Sequence, residues 1–163
     1  MVERRKKIAY LAGAIDRVAD RGLEWRNIFS AALAEIGVGA VIPNDLNEKQ
    51  ALSPAQICDL KTSGELEEFK RMFRKNIMFP DLATMDACDM VIVRWNGEFI
   101  AGTAHECGRA FMRGQPVLLV SPRPFAEVPN WLLACCSKEF HSLEELSIYL
   151  KTYKKPMRKK AKE

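Results

Sequence analysis

Short apolar runs that alternate with helical patterns are the feature that most constrains the fold of this chain. The clearest run, Met90–Val93, is short and unbroken, and Lys7–Ala12, Val38–Ile42 and Pro116–Val120 share its apolar character. A brief fifth strand is expected at Glu139–Phe140. Strands that are apolar throughout belong to parallel sheets that helices cover on both faces. The sequence therefore predicts a three-layer α/β/α sandwich, flavodoxin- or Rossmann-like, with a parallel sheet of four or five strands.

Helical spacing of apolar residues marks the segments between the strands. The predicted helices are Leu23–Ile36, Pro54–Thr62, Glu65–Met78, Leu82–Ala87, Ala104–Met112, a short one around Trp131, and one from Leu143 to about Tyr153. Ser53 before a proline, and Ser142 three residues before Glu145, are helix-start signatures. Pro80 is expected to end the third helix and Asp81 to cap the fourth. The apolar stripe of the third helix suits core packing and a subunit interface equally well.

Charge and cysteine content narrow the class of protein. Residues 1–163 show no internal repeat or linker, so one domain is expected. The net charge is +4, but Lys154–Glu163 holds six basic residues, which are typical of a solvated, flexible tail, and nucleic acid is not expected as a partner. No run is long enough to cross a membrane, and no signal peptide is expected. The five cysteines (58, 88, 107, 135 and 136) lack disulfide or zinc spacing, which indicates buried free thiols in a reducing cytoplasm.

The loops that follow the strands are expected to meet at one edge of the sheet, where open α/β folds bind their ligands. Polar side chains at this edge suit acid, base or nucleophilic chemistry on a polar small molecule. The candidates are Tyr10, Asp16, Asp81, Asn96, Glu98 and Glu106.

Glu106 admits two interpretations. In the first, Thr103-Ala-His-Glu106 is a capping box, in which threonine and glutamate satisfy the first amides of a helix. In the second, Glu106 is a nucleophile that the helix dipole keeps ionised in the first helical turn. Gly102 and Gly108 favour the second, since small residues let a ligand or another backbone approach. Both interpretations stay open on these residues alone.

Four segments form an ordered set along the chain: Ile8–Gly13, Asp89–Val93, Gly102–Ala110 and Gly114–Val120. The set resembles the nucleoside 2-deoxyribosyltransferase-like family, including the related nucleoside 5′-monophosphate N-glycosidases. Asp81, eight residues before Asp89, matches the spacing of a second carboxylate in that family.

The resemblance implies chemistry at the N-glycosidic bond of a nucleoside or nucleotide. By it, Glu106 attacks the anomeric carbon and forms a covalent sugar ester, which water or a second base resolves with retention. Asp81 positions or protonates the base, and Tyr10 and Gly13 line the base or sugar pocket. The other substrate-binding candidates are Asp16, Arg17, Asn96, Glu98, Gly102 and Thr103. No metal or cofactor is expected, and a homo-oligomer is, because such sites borrow residues from a neighbouring subunit.

One position departs from the family pattern. Transferases of the family often carry an acidic residue just before the Gly-Thr pair, where this chain has Ala101. Asn96 or Glu98 could take its place. The departure leaves open a non-catalytic nucleotide-binding or sensing domain on the same fold. A phosphoribohydrolase of modified-base nucleotides is also open, and in that case Arg17 or Arg21 could contact a 5′-phosphate.

The neighbours of Glu106 are expected to play no part in metal binding. His105 and Cys107 flank it, and adjacent residues on a helix point to different sides, so Cys107 is expected in the core. Trp95 is compatible both with stacking on a base and with a partly buried strand end.

Overall fold

Three stretches of the chain are described by the structure, a computed structural model: residues 6–15, 18–43 and 53–153. Three predicted features lie outside the described residues: Asp16, Arg17 and the basic tail 154–163.

In the described part of the chain, five parallel strands form one sheet, which confirms the predicted fold class. The strands are β1 (Lys7–Gly13), β2 (Val38–Val41), β3 (Met90–Arg94), β4 (Val117–Val120) and β5 (Lys138–Phe140). Their order is β2-β1-β3-β4-β5, and every neighbouring pair is parallel. The connections change direction between β1 and β3, where Gly13 lies opposite Arg94 at the carboxyl ends. Open α/β sheets bind ligands in the crevice at such a switch point.

The helices of the described residues are α1 (Leu23–Glu35), α2 (Pro54–Thr62), α3 (Leu66–Phe73), α4 (Phe79–Ala87), α5 (Ala101–Met112), α6 (Asn130–Cys135) and α7 (Leu143–Thr152). All except α2 and α3 pack on the two faces of the sheet. A π-helical turn (Arg74–Met78) joins α3 to α4, and a 3₁₀ turn (Phe125–Glu127) precedes α6. Across the described ranges, no helix has both the length and the apolar character that crossing a membrane would take.

Alternate residues of β1 supply two separate cores. Tyr10 and Ala12 pack with the layer of α4, α5 and α6, whose buried side chains include Met85, Cys107 and Leu132. Ala9 and Leu11 pack with α1 and α7, through residues such as Phe29, Leu33 and Leu146. All four strand residues are fully buried. The sheet is therefore covered on both faces, as apolar strands require.

The prediction that Pro80 ends a helix is wrong. The chain stays helical through residues 66–87, from α3 across the π-helical turn into α4. The N–H of Phe79 bonds to the carbonyl of Arg74, five residues back. The ladder therefore changes register where Pro80 has no N–H to donate, and Pro80 falls in the first turn of α4, where that loss is tolerated. Asp81 lies inside α4 and is not its cap.

Two other predicted helix starts are confirmed. Ser53 Oγ accepts the N–H of Gln56 at 3.2 Å, and Gln56 Oε1 accepts the N–H of Ser53 at 2.8 Å, which completes a capping box. Ser142 Oγ accepts the N–H of Glu145 at 3.2 Å. Glu145, however, accepts from the N–H of His141 rather than from its own cap, so this second box is only half formed.

Candidate active site

A pocket of about 340 Å³ opens beyond the carboxyl ends of β1 and β3. Its wall combines the loop after β1, the helical segment from α3 to α4, and the start of α5. The predicted site residues that line it are Gly13, Asp81, Gly102, Thr103 and Glu106. Asp81 and Glu106, the two carboxylates that the sequence singles out, therefore both line the crevice at the switch point.

Glu106 lies on the pocket wall in the second turn of α5, not in the first. The helix begins at Ala101, three residues earlier than predicted, and the N–H of Ala104 bonds to the carbonyl of Ile100 at 2.8 Å. Thr103 and Glu106 are thus both inside the helix, whose start has no side-chain cap. The capping-box interpretation is wrong. The helix dipole acts mainly on the first turn, so it also stabilises the ionised form of Glu106 less than predicted.

A buried tyrosine holds the Glu106 carboxylate. Tyr10 Oη donates a hydrogen bond to Glu106 Oε1 at 2.8 Å. Tyr10 is fully buried, while Glu106 is half-buried. Hydrogen bonds to ionised acceptors are stronger than those between neutral groups. Tyr10 is not among the residues that line the pocket, so it orients Glu106 rather than forming the pocket wall.

Asp81 lines the same pocket from α4 and is only 6% exposed. Ion pairs clamp α4 to α5. Asp86 Oδ2 lies 2.7 Å from Arg109 Nη2, and Asp86 Oδ1 lies 3.1 Å from Arg113 Nε. The helices that carry Asp81 and Glu106 are therefore joined by these ion pairs.

The two predicted glycines differ in what requires them. A Cβ on Gly13 would lie 2.6 Å from Trp25 Cζ2 and 3.1 Å from the carbonyl oxygen of Arg94, so a side chain there would force Trp25 or the strand to shift. A Cβ on Gly102 would meet nothing within 4 Å. The protein's own packing therefore does not require glycine at position 102, and the pocket is open at this side of α5.

Arg26, a buried arginine that was not predicted from the sequence, joins the two ends of the loop between β1 and α1 by hydrogen bonds. Arg26 is 0% exposed. Its Nε donates to the carbonyl of Leu11 at 3.1 Å, and its Nη2 donates to that of Gly13 at 2.9 Å. Its Nη1 donates to the carbonyls of Arg21 at 3.2 Å and Gly22 at 3.0 Å. One guanidinium thus joins the end of β1 to the start of α1, and the loop between them contributes to the pocket wall.

Helical spacing is the signal that could have identified Arg26. It lies three residues before Phe29 and seven before Leu33, both of which are buried. This spacing places the arginine on the stripe of α1 that faces the sheet. A charged residue on such a stripe has to find polar partners inside the protein.

The predicted residues Asn96 and Glu98 are not among those that line the pocket. Glu98 Oε1 pairs with Arg94 Nη1 at 2.9 Å, and Glu98 Oε2 accepts the N–H of Asn96 at 2.6 Å. Trp95 is 5% exposed, and its Nε1 donates to the carbonyl of Glu98 at 3.1 Å. These contacts shape the turn after β3. They give no support to the expectation that either residue replaces the acidic group absent at Ala101.

The two neighbours of Glu106 have different environments. Burial raises the pKa of the Cys107 thiol well above its usual value, and the charge of Glu106 adds to the effect. Cys107 is therefore a neutral core residue, as predicted. His105 is exposed and, like Glu106, lies on the pocket wall. Within the described ranges, no group of three or more His, Cys, Asp or Glu side chains is arranged to hold a metal ion.

The rest of the pocket wall is largely apolar. It includes Ile57 of α2, Phe73 of α3, Ile77 of the π-helical turn and Phe99 of the loop after β3. Arg21, on the loop after β1, also lines the pocket, with a φ of 55° that is uncommon for a residue other than glycine. The apolar members were not predicted, because apolar residues on a helix are as compatible with the core as with a pocket.

Comparisons with known proteins identify the proteins that this chain resembles. A family model described as nucleoside 2-deoxyribosyltransferase matches residues 9–145. The chain is similar to a 2-deoxyribosyltransferase from the psychrotolerant bacterium Bacillus psychrosaccharolyticus, with 21% identity and a TM-score of 0.59 over 87% of this chain and 91% of that one. It is similar to a 2-desoxiribosyltransferase from Leishmania mexicana, with 22% identity and a TM-score of 0.60 over 90% and 98% of the chains. A conserved protein from Enterococcus faecalis V583 has 17% identity and a TM-score of 0.53 over 90% and 98%. No curated protein sequence gives a match.

Proposed function

The chain belongs to the nucleoside 2-deoxyribosyltransferase family, and on that premise we propose that it cleaves or transfers the N-glycosidic bond of a nucleoside or nucleoside monophosphate. The observation that carries the proposal is the contact between Tyr10 Oη and Glu106 Oε1 at 2.8 Å. It holds a carboxylate on the wall of a pocket that Asp81 also lines. A held carboxylate beside a second carboxyl group suits a retaining glycosyl transfer.

In the first step, a carboxylate oxygen of Glu106 attacks the anomeric carbon, and the bond from that carbon to the base nitrogen breaks. The base leaves with the bonding electron pair. It takes a proton from Asp81, whose carboxyl group begins this step protonated. The sugar is then an ester of Glu106.

In the second step, water or a second base attacks the anomeric carbon from the face that the first base left. The ester bond breaks, and its electron pair returns to the Glu106 carboxylate. The proton lost by the water or by the incoming base returns to Asp81. Two inversions at the same carbon give overall retention.

The decisive test is Glu106→Gln, which keeps the shape of the side chain and removes its negative charge. Purified protein would be incubated with a panel of nucleosides and nucleotides, and free base measured by chromatography. We expect base release to fall by about 10³-fold or more, as for the loss of a nucleophile. A 2-fluoro sugar analogue should also add its mass to the peptide that contains Glu106.

The matched control is Glu127→Gln, because Glu127 is exposed and pairs with Arg123 away from the pocket. This variant should release base at the wild-type rate. Equal base release by the Glu106 and Glu127 variants would show that Glu106 is not the nucleophile. Nucleotide binding measured by calorimetry without base release would instead indicate a sensing domain.

One observation favours a nucleoside 5′-monophosphate within this substrate class. Arg21 lies on the pocket wall, and its guanidinium can pair with a phosphate through two parallel hydrogen bonds. The same panel separates the two substrates, because base release that requires the 5′-phosphate would assign a phosphoribohydrolase-like activity. Equal rates with and without the phosphate would assign a nucleoside enzyme.

A further inference from the structure

The helical hairpin formed by α2 and α3 stands apart from both cores. None of the described side chains of these two helices is buried. The two helices pack mainly on each other, and α3 continues into the π-helical turn. The first buried side chain after the hairpin is that of Ile77, in the π-helical turn. The hairpin is therefore not needed to fill the interior of the domain.

The hairpin nevertheless reaches the pocket through two apolar side chains. Ile57 of α2 and Phe73 of α3 both lie on the pocket wall and are half-buried. Phe73 packs against Phe69 with ring centroids 5.5 Å apart, and the ammonium group of Lys61 lies 5.1 Å from the Phe69 ring centroid. These contacts tie α2 to α3 next to Phe73. The hairpin thus presents one apolar surface to the space that a substrate would occupy.

The connection between the hairpin and the domain lies next to the proposed chemistry. The π-helical turn Arg74–Met78 follows Phe73, and Asp81 comes one turn later on the same continuous helix. Turns of this kind interrupt the regular hydrogen-bond ladder and occur frequently at functional sites. Phe73, Ile77 and Asp81 all line one pocket, so the apolar surface and the carboxyl group are carried by a single helical segment.

We propose that Ile57 and Phe73 determine which acceptor resolves the covalent intermediate, an inference that rests on the proposed function at Glu106. A planar base stacks on an aromatic ring and gains from apolar contact. Water gains nothing from an apolar wall and loses hydrogen bonds beside it. The two side chains therefore favour transfer of the sugar to a second base over its hydrolysis.

Both outcomes begin from the same ester between Glu106 and the anomeric carbon. In transfer, a nitrogen lone pair of the acceptor base forms the new bond to carbon while the ester bond breaks. In hydrolysis, an oxygen lone pair of water forms that bond. In each case the ester electron pair returns to Glu106, and the acceptor loses one proton to Asp81. The products differ, since transfer yields a new nucleoside and hydrolysis yields free sugar.

The test measures the ratio of new nucleoside to free sugar, at saturating donor and a fixed concentration of acceptor base. We expect the double variant Ile57→Ser and Phe73→Ser to lower this ratio about tenfold, the effect of removing a stacked aromatic contact. Release of the donor base should change less than the ratio does, because Glu106 and Asp81 are untouched.

Two further variants separate a wall effect from a folding effect. Leu66→Ser alters α3 at a side chain that is 53% exposed and is not on the pocket wall, so the ratio should stay at the wild-type value. Phe73→Leu keeps the wall apolar but removes the ring, so its ratio should fall between those of the wild type and the double variant. Circular dichroism of each variant would verify that the helices are intact.

The possible failures are distinguishable. An unchanged ratio in the double variant, with base release intact, would overturn the acceptor assignment and leave the proposed function standing. A fall in the ratio for Leu66→Ser as large as that of the double variant would also overturn it. So would a wild-type protein that gives free sugar and no new nucleoside even at high acceptor concentration. If the wild-type protein releases no base from any substrate, the proposed function fails, and the acceptor assignment fails with it.

Discussion

Tyr10 and Glu106 are 96 positions apart in the sequence, yet their side chains meet at a hydrogen-bond distance of 2.8 Å. Tyr10 lies in the middle of β1 with its ring fully buried, so the surrounding core limits its rotation. Its hydroxyl therefore fixes one oxygen of a half-buried carboxylate on α5. A nucleophile that is oriented before the substrate arrives avoids an entropic cost at the reaction step.

We predict that Tyr10→Phe lowers kcat for base release by about 10- to 100-fold, the effect of removing a hydrogen bond to a charged group. KM should change less, because the hydroxyl acts on the proposed nucleophile and is not on the pocket wall. Steady-state kinetics of base release measures both parameters.

Tyr149→Phe is the matched control for this substitution. Tyr149 packs against Phe140 and Tyr153 in the core on the other face of the sheet, and should tolerate the loss of its hydroxyl. Wild-type kcat in Tyr10→Phe would show that the hydrogen bond is unimportant for Glu106.

At the scale of elements, hydrogen bonds from the buried Arg26 and to the exposed Asp20 fix the loop between β1 and α1. The backbone N–H groups of Glu24 and Gly22 lower the pKa of Asp20, so its carboxylate stays ionised at the start of α1. A Cβ on Gly22 would lie 2.4 Å from Arg26 Nη1. Glycine at this position therefore makes room for the guanidinium, and the loop conformation depends on both residues.

We predict that Arg26→Met destabilises the protein by about 3 kcal/mol or more, because buried carbonyls lose their donor. Chemical denaturation measures the free energy of unfolding. KM for base release should also rise, since Gly13 and Arg21 carry two of the freed carbonyls and both line the pocket. Arg26→Lys keeps the charge but lacks the planar guanidinium. Its stability and its KM should lie between those of the wild type and Arg26→Met.

A second variant, about as unstable as Arg26→Met, shows whether the rise in KM comes from the loop or from lost stability. Leu146→Ala removes a fully buried side chain from α7, which packs on the face opposite α4 and α5, and should cost about 2–5 kcal/mol. Its KM should stay at the wild-type value. A rise in KM as large as that of Arg26→Met would assign the effect to lost stability and not to the loop.

At the scale of the whole molecule, four of the five cysteines lie in or against the core that contains α4, α5 and α6. Burial raises the pKa of Cys88 to about 11 and that of Cys136 to about 12. It also raises the pKa of Cys107, and that of Cys135. Only a thiolate reacts rapidly with disulfide reagents, so these four groups should be inert in the folded protein. Cys58 on α2 is exposed.

We predict that the native protein at about pH 8 shows one fast thiol with a chromogenic disulfide reagent and that the other four react on unfolding. The raised pKa values keep the four buried thiols protonated at this pH, which sets the direction of the effect. Stopped-flow absorbance counts the fast thiols. Cys58→Ser should abolish the fast phase, and two or more fast thiols in the wild type would contradict the prediction.

Much of the fold was predictable, because it follows from local properties of the chain. A run such as Met90–Val93 is apolar at every position, so it has to be buried on both faces, and that requirement selects a parallel sheet between helices. Ser53 and Ser142 cap their helices through neighbours three residues away, within reach of a sequence pattern. Predictions failed at Pro80, where the hydrogen-bond ladder shifts by one residue, and at Thr103, where the helix begins three residues before its predicted start. Neither change alters the composition of the segment that a sequence pattern reads.

The sequence by itself determined the fold class and the family, and it selected Glu106 and Asp81 as the carboxylates of interest. Only the tertiary structure decided what surrounds them. The Tyr10 hydroxyl, the apolar surface of Ile57 and Phe73, and the place of Asp81 on the wall depend on which faces of distant elements meet. These contacts depend on the rotation of each helix about its axis and on the order of the strands. No local sequence pattern indicates which residues far apart in the chain come into contact.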